Sequence, residues 1–277
     1  MIPKLGIMQG RLLPKFSGRY QAHPLGYWED EFSIASDLGL ECIEFIFDFN
    51  DYQQNPLFSN EGIREIEKIS SKTGVVVYSV CADFFMECPL HSIIEENRIF
   101  AKKTLLELLS YCNNLNITDI VIPCVDHSSL VSTENFDIFK TQMMDLIPVA
   151  EKFDINLSLE TDLPPSSFAN LLQDLDSKNV TVNYDIGNSA SLGYDFRVEL
   201  QSYGKRISDL HIKDRKLNGP SVYLGQGNAK IVEFFKEFQK YDFKGPTIMQ
   251  LFRDDEGVTI LKEQLGEFRK LVKPFMR

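Results

Sequence analysis

Short apolar segments alternate with longer stretches of helical periodicity along the whole chain. Eight segments rich in Val, Ile, Leu and Phe have strand character and are bounded by polar or turn-forming residues. We predict strands at residues 4–10, 41–47, 75–82, 117–124, 156–161, 180–185, 207–213 and 246–252. Apolar residues recur at helical spacing elsewhere, and we predict helices at residues 28–38, 60–73, 95–114, 134–153, 166–175, 196–203, 229–241 and 256–272.

This alternation predicts an α/β fold, a single (β/α)8 TIM barrel that spans residues 1–277. Eight strand-helix units then average about 35 residues each, which is close to the requirement of such a barrel. The structural alternative is a doubly wound open sheet, which usually carries a glycine-rich phosphate turn after its first strand. The corresponding turn here is Met8-Gln9-Gly10-Arg11-Leu12 and lacks the G-x-G-x-x-G pattern. No Pro/Gly/Ser-rich or single-sign charged stretch indicates a linker.

Composition narrows the classes of partner. The formal net charge of −11 disfavours nucleic acid, whose binders normally carry a basic face. The five cysteines form no C-x-x-C pair, so neither a disulfide framework nor a thiolate zinc site is indicated. There is no apolar run near 18 residues and no secretory signal pattern, so we expect a cytoplasmic protein without a membrane span. The oligomeric state stays open, with a homo-oligomer among the options.

Four predicted strands carry a polar side chain near their C-terminal ends, where barrels build their active sites. These side chains are Glu160, Asp185, His211 and Gln250, at separations of 25, 26 and 39 residues. A carboxylate that ends an apolar strand costs free energy unless a cation or hydrogen-bond donors compensate it. Salt bridges or helix caps at the rim are the alternative for the acids, and a satisfied core residue is the alternative for the histidine. A divalent cation is the simplest reason to gather all four.

The chain resembles the xylose isomerase-like TIM barrels, and within them the sugar-phosphate isomerases and epimerases. The motifs that carry this resemblance span essentially the whole sequence: Ile7-Met8-Gln9-Gly10-Arg11-Leu12, Ile43-Glu44-Phe45, Leu159-Glu160-Thr161, Tyr184-Asp185-Ile186-Gly187-Asn188, His211-Ile212-Lys213-Asp214-Arg215 and Leu224-Gly225-Gln226-Gly227.

The resemblance implies one divalent cation, Mn, Mg or Zn, held by Glu160, Asp185 and His211. Gln250 stands where the family has a second glutamate, and in the epimerases the two glutamates are acid and base on opposite faces of the sugar. A carboxamide can lend its oxygen to a metal but does not exchange a proton near pH 7. The substitution therefore favours chemistry with one carboxylate base, Glu160, with Gln250 as a ligand and polar contact on the other side.

The resemblance and this departure together predict a metal-dependent isomerase of a small sugar or sugar phosphate, working by proton transfer beside a carbonyl. Two alternatives stay open among enzymes, a metal-dependent epimerase and a dehydratase of a sugar-like ketone. A carbohydrate-binding barrel without turnover is the alternative from another class.

Further polar residues in the resembling motifs or beside the strand ends are expected to bind substrate. They are Gln9, Arg11, Glu44, Asn188, Lys213 and Arg215. The fork of Arg215 suits a phosphate group, although a rim salt bridge is the competing explanation. The connection over residues 11–28 exceeds the usual loop length and is predicted to cover the site as a lid.

Overall fold

Eight parallel strands close into a barrel in a computed structural model that describes residues 4–130 and 132–275. The predicted single (β/α)8 barrel is confirmed, and the terminal residues of the predicted domain lie outside the described ranges. The barrel strands are β1 Leu5–Met8, β2 Cys42–Ile46, β3 Val76–Cys81, β4 Asp119–Cys124, β5 Asn156–Thr161, β6 Val180–Asp185, β7 Ile207–Ile212 and β10 Thr247–Met249. Around the barrel they follow the order β1-β10-β7-β6-β5-β4-β3-β2. A small antiparallel ribbon pairs β8 Asp214–Arg215 with β9 Ser221–Val222.

Helices surround this barrel. They are α1 Asp30–Asp37, α2 Asn60–Thr73, α3 Phe84–Glu87, α4 Glu95–Asn114, α5 Thr133–Phe153, α6 Pro165–Leu175, α7 Ile186–Leu192, α8 Phe196–Tyr203, α9 Ile231–Phe238 and α10 Val258–Val272. The short helices α3 and α7 and the β8-β9 ribbon were not predicted, and each directly follows the C-terminal end of a barrel strand. Among the helices of residues 4–130 and 132–275, none has the length and apolarity to cross a membrane.

The alternation of side chains along each strand explains how polar residues enter the barrel. In β5, Leu157 and Leu159 belong to the apolar core between the strands and the helices. Ser158 faces the opposite side, because its Oγ lies 3.2 Å from that of Ser208 on β7, a strand that is not adjacent to β5. Glu160 shares the face of Ser158, so the period of two places its carboxylate inside the barrel at the C-terminal end.

The start of the long β1-α1 connection is anchored to the barrel by a buried carboxylate. Glu31 on α1 accepts hydrogen bonds from the backbone N–H groups of Gly10 and Leu12, at 2.7 and 2.9 Å. Gly10 has a φ of +78°, a conformation that favours glycine. Arg253, after β10, donates to the carbonyl oxygens of Gly10 and Leu13. These contacts fix the point where the predicted lid leaves the barrel.

Candidate active site

Two carboxylates and one imidazole meet at the C-terminal end of the barrel, on neighbouring strands. Glu160 is the penultimate residue of β5, Asp185 ends β6 and His211 is the penultimate residue of β7. One ligand atom from each residue lies within 4.8 Å of the other two, and all three residues are buried. The structure therefore brings together three of the four residues that the sequence assigns to a metal centre.

The hydrogen bonds of His211 determine which ring nitrogen faces a ligand. His211 Nε2 lies 2.7 Å from Glu44 Oε1, whereas Nδ1 is buried without a hydrogen-bond partner among the described residues. A metal bound through Nδ1 requires the hydrogen on Nε2, which Glu44 then accepts, as is usual for metal-ligating histidines. Burial raises the pKa of Glu44 to about 8. A set of two carboxylates and one imidazole nitrogen fits Mn, Mg or Zn, and this mixed N/O set does not select among them.

Asn188 orients both carboxylates. Its backbone N–H donates to Asp185 Oδ1 at 2.8 Å, and its side-chain Nδ2 donates to Glu160 Oε1 at 2.5 Å. Glu160 Oε2 is left without a hydrogen bond in the described part of the chain. Burial raises the pKa of Glu160 to about 7, with a further contribution from the neighbouring charge of Asp185. A carboxylate with a pKa in this range can exchange a proton near neutral pH.

Lys213 links the metal-ligand candidates to Gln250. Its Nζ donates to Asp185 Oδ2 at 3.1 Å and to Gln250 Oε1 at 3.2 Å. Gln250, directly after β10, also donates from Nε2 to Gln21 Oε1 at 3.1 Å. The carboxamide oxygen of Gln250 thus accepts from the same ammonium group that binds Asp185.

Arg215, at the rim of the barrel, is linked to Glu160 through Asn188. Arg215 Nη1 donates to Asn188 Oδ1 at 2.8 Å, and Nε donates to the carbonyl oxygen of Gly219 at 3.1 Å. Because Asn188 in turn binds Glu160, Arg215 acts on the orientation of that carboxylate as well as lining the opening. Arg215 makes no salt bridge with a described residue.

Asp214, between Lys213 and Arg215, has a structural role. Its carboxylate accepts hydrogen bonds from the backbone N–H groups of Gly225, Gly227 and Ala229, at 2.8 to 3.0 Å. A Cβ at Gly227 would lie 2.0 Å from Asp214 Oδ1, so the loop packs this closely only with glycine there. Asp214 therefore holds the loop in place and is not available to a substrate.

A cavity of about 240 Å³ opens beside Glu160, one of the three metal-ligand candidates. It is smaller than the pockets of about 300–1,000 Å³ that hold drug-sized ligands, which suits a small polar molecule. Its lining includes Arg11, Gln21, Asp83, Glu160, Lys213 and Gln250.

Two residues expected to contact substrate lie elsewhere. Glu44 has no exposed surface and sits beneath His211, where Ser79 also donates to it at 2.6 Å. Gln9 is equally buried and accepts a hydrogen bond from the backbone N–H of Ile46. The cavity lining does include the other four, Arg11, Asn188, Lys213 and Arg215.

Gln21 and Asp83 are among the residues of the cavity wall that the sequence did not indicate. Gln21 lies within the predicted lid, where no strand-end pattern marks it. Asp83 comes two residues after β3, so the strand-end rule that pointed to Glu160 and Asp185 would include it if extended into the loops after the strands.

Comparisons with known proteins agree with this geometry. The "Putative L-ribulose-5-phosphate 3-epimerase SgbU" of Haemophilus influenzae is 22% identical over 253 residues, covering 85% of this chain and 87% of that protein. An uncharacterised protein of Methanocaldococcus jannaschii is 25% identical over 141 residues, so this chain spans about half, 48%, of its length, and the match covers 47% of this chain. A crystal structure of the IolI protein with a binding zinc atom shares the fold, with a TM-score of 0.76, 16% identity and 98% of each chain covered. The model of the xylose isomerase-like TIM barrel matches residues 32–271, and the chain belongs to that family.

Proposed function

We propose that this protein is a divalent-metal-dependent isomerase of a small sugar or sugar phosphate, which moves a proton between adjacent carbons. The observation that carries the proposal is the convergence of one ligand atom each from the buried Glu160, Asp185 and His211, whose Nδ1 has no hydrogen-bond partner among the described residues. Glu160 also lines a small cavity, together with Lys213 and Gln250, that can admit a sugar. Gln250 is the fourth candidate ligand through its carboxamide oxygen.

A divalent cation held by these residues would polarise the carbonyl of the sugar and its neighbouring hydroxyl. Glu160 is the base in this proposal, because Asn188 occupies only its Oε1 and leaves Oε2 to take a proton from carbon. Lys213, fixed between Asp185 and Gln250, provides a positive charge beside the negative charge that develops on the substrate oxygens.

A metal-dependent epimerase is the second candidate. It is supported by the name of the relative from H. influenzae, a ribulose-phosphate epimerase. Stereoinversion requires a proton donor on the face opposite Glu160, where Gln250 cannot serve. This candidate therefore needs another group on that side, and Lys213 is the titratable group in contact with Gln250.

Deuterium exchange tests the proposal. Purified protein would be loaded with Mn, Mg or Zn in D2O and given a panel of pentoses, hexoses and their phosphates, with products followed by NMR. Isomerisation predicts deuterium at a carbon next to the carbonyl and interconversion of aldose and ketose, whereas epimerisation predicts inversion at that carbon. Sugar binding without exchange would identify a binding barrel, and absence of both would refute the proposal.

The matched variants are Glu160→Gln and Asp126→Asn. Asp126 is an exposed residue of the same cavity wall, without contact to the three ligand candidates. Exchange should be lost in the first variant and kept in the second.

A further inference from the structure

Asp83 is a carboxylate of the cavity wall that the proposed chemistry does not use. It follows β3, which is diametrically opposite β7 in the barrel, since three strands separate the two in either direction around the ring. Asp83 therefore faces the metal-ligand candidates from the far side of the opening. A substrate that contacts Glu160 and Lys213 would extend across the cavity toward Asp83.

The local contacts of Asp83 do not account for its presence. It stands at the N-terminus of α3, where an aspartate usually accepts a hydrogen bond from a backbone N–H of its helix. Its side chain makes no such bond, and no salt bridge joins it to any residue described by the structure. Its Oδ2 accepts from Gln21 Nε2 at 2.7 Å, and among the described residues Oδ1 accepts a hydrogen bond only from the weak thiol donor of Cys81, at 3.3 Å.

Gln21 holds this carboxylate in a fixed orientation. The carboxamide oxygen of Gln21 accepts from Arg11 Nη2 at 2.8 Å and from Gln250 Nε2 at 3.1 Å. Because two donors contact this atom, it is the carboxamide oxygen, and the other end of the amide, Nε2, faces Asp83. A rigid bridge thus runs from Gln250, beside the proposed reacting carbons, to Asp83, with Oδ1 left for a further donor.

The cavity wall carries both cations and carboxylates: Arg11, Lys213 and Arg215, and Asp83, Asp126 and Glu160. Lys213 and Arg215 follow β7, whereas Asp83 on the opposite side is negative when ionised and accepts hydrogen bonds only. Burial raises the pKa of Asp83, and this desolvation makes a donor on the substrate more valuable to it. A phosphate group is disfavoured at this position by like charge, and a neutral hydroxyl is favoured.

We infer that Asp83 is a substrate-binding residue, which accepts a hydrogen bond from a free hydroxyl of the sugar outside the reacting carbon pair. The substrate class is then a polyhydroxy carbonyl compound with an unmodified hydroxyl at this end. Sugars in which that hydroxyl is missing or phosphorylated are rejected, because Oδ1 of this half-buried carboxylate would lose the substrate donor or be opposed by charge. The inference rests on the proposed function for its substrate class and adds a specificity-determining residue to the same site.

The test compares a sugar that the metal-loaded wild-type protein binds with its monodeoxy derivatives at each carbon outside the reacting pair. Dissociation constants come from calorimetry, and kcat and KM are added where there is turnover. The wild type should bind one deoxy derivative about 10- to 100-fold more weakly than the parent sugar. Asp83→Ala should weaken the parent by a similar factor, leave that derivative unchanged and bring their ratio near one, with kcat nearly constant.

Two controls separate recognition from structural damage. Asp83→Asn keeps the shape and a carbonyl acceptor for Gln21, so its ratio should be intermediate, with a melting temperature near that of the wild type. Glu61→Gln changes an exposed carboxylate outside the cavity wall and should leave every ratio unchanged.

The outcomes distinguish the two proposals. Equal effects of Asp83→Ala on the parent and all derivatives, or no effect, would overturn the inference whether or not the protein is an isomerase. Sugar binding without deuterium exchange would overturn the proposed function alone, because the Asp83 comparison still runs on dissociation constants. Failure of the wild type to bind any sugar of the panel would overturn both.

Discussion

Glu44 and His211 lie 2.7 Å apart in the barrel interior, and neither has any exposed surface. Glu44 reaches His211 from β2, on the other side of the barrel from β6. Its carboxylate supports the imidazole from below, while the unpaired Nδ1 remains for a ligand. The orientation of a candidate metal ligand on one strand thus depends on a residue 167 positions earlier in the chain.

Removal of this support should weaken metal binding without removing a ligand. We expect Glu44→Ala to raise the metal dissociation constant about 10- to 100-fold, the usual cost of losing such a partner. Glu44→Gln, which keeps an acceptor oxygen, should have a smaller effect, and the exposed Glu61→Ala none. Competition with a fluorescent chelator measures these constants. Identical metal affinity in all three variants would show that Glu44 serves only the packing of the barrel.

The three proposed ligands should behave as a unit. Glu160→Gln, Asp185→Asn and His211→Ala are each expected to lower bound metal sharply, because each removes a charge or the nitrogen donor from a three-residue set. Elemental analysis after dialysis measures occupancy, and thermal melting with and without added metal provides a second readout. Full occupancy in all three variants would rule out this site.

Gln250 should make the site asymmetric. The wild type is expected to exchange a substrate proton but not to invert a stereocentre, since the carboxamide cannot return a proton from the opposite face. Gln250→Glu restores a carboxyl group and should introduce weak stereoinversion, provided the metal tolerates the added charge. It also loses the Nε2 donor to Gln21, so we expect a lower melting temperature. Rapid inversion by the wild type, unchanged in Gln250→Ala, would assign the second proton to another group.

Arg215 should affect both binding and turnover. Arg215→Lys keeps the charge but loses the fork that binds Asn188 and the Gly219 carbonyl at once. If a phosphorylated sugar is the substrate, its KM should rise about tenfold or more, while an unphosphorylated analogue is less affected. Because Asn188 orients Glu160, kcat should also fall in Arg215→Ala. Unchanged kinetics in both variants would make Arg215 a simple rim residue.

Glu31 should make the free energy of unfolding of the protein depend on pH. Burial raises its pKa from 4.5 to about 7 in the folded state, so between these values the folded protein holds a proton that the unfolded chain has lost. Its contribution to the free energy of unfolding therefore falls as pH rises from about 4.5 to about 7. Glu31→Gln should flatten this part of the profile, and the exposed Glu29→Gln should not. Urea unfolding at several pH values measures it.

Glu31→Ala should cost about 1–3 kcal/mol at acidic pH, because the Gly10 and Leu12 N–H groups lose their partner. Equal stability of this variant and the wild type at that pH would contradict the anchoring of the lid base by Glu31.

The positions of the strands, and with them the placement of Glu160, Asp185 and His211, follow from the sequence alone. Apolar periodicity is a local property, and in a closed parallel barrel every strand delivers its C-terminal residues to the same end. Once the eight strands are located, the convergence of these side chains can be predicted without knowledge of individual contacts. The same reasoning correctly separates the chain from an open sheet, because the first turn lacks the phosphate-binding glycines.

Only the tertiary structure decided the hydrogen-bond partners of the side chains at this end of the barrel. Glu44 resembles a strand-end acid in sequence, yet it lies one layer deeper, paired with His211. Lys213 bridges Asp185 and Gln250, and Gln21 reaches Asp83 from a loop without regular structure. Such contacts join side-chain tips far apart in the chain, so they depend on strand register, loop path and rotamer together. The local pattern of apolar and polar residues determines neither register, nor loop path, nor rotamer. The sequence by itself therefore determined the barrel and the candidate metal ligands, whereas the tertiary structure determined the hydrogen bonds between them.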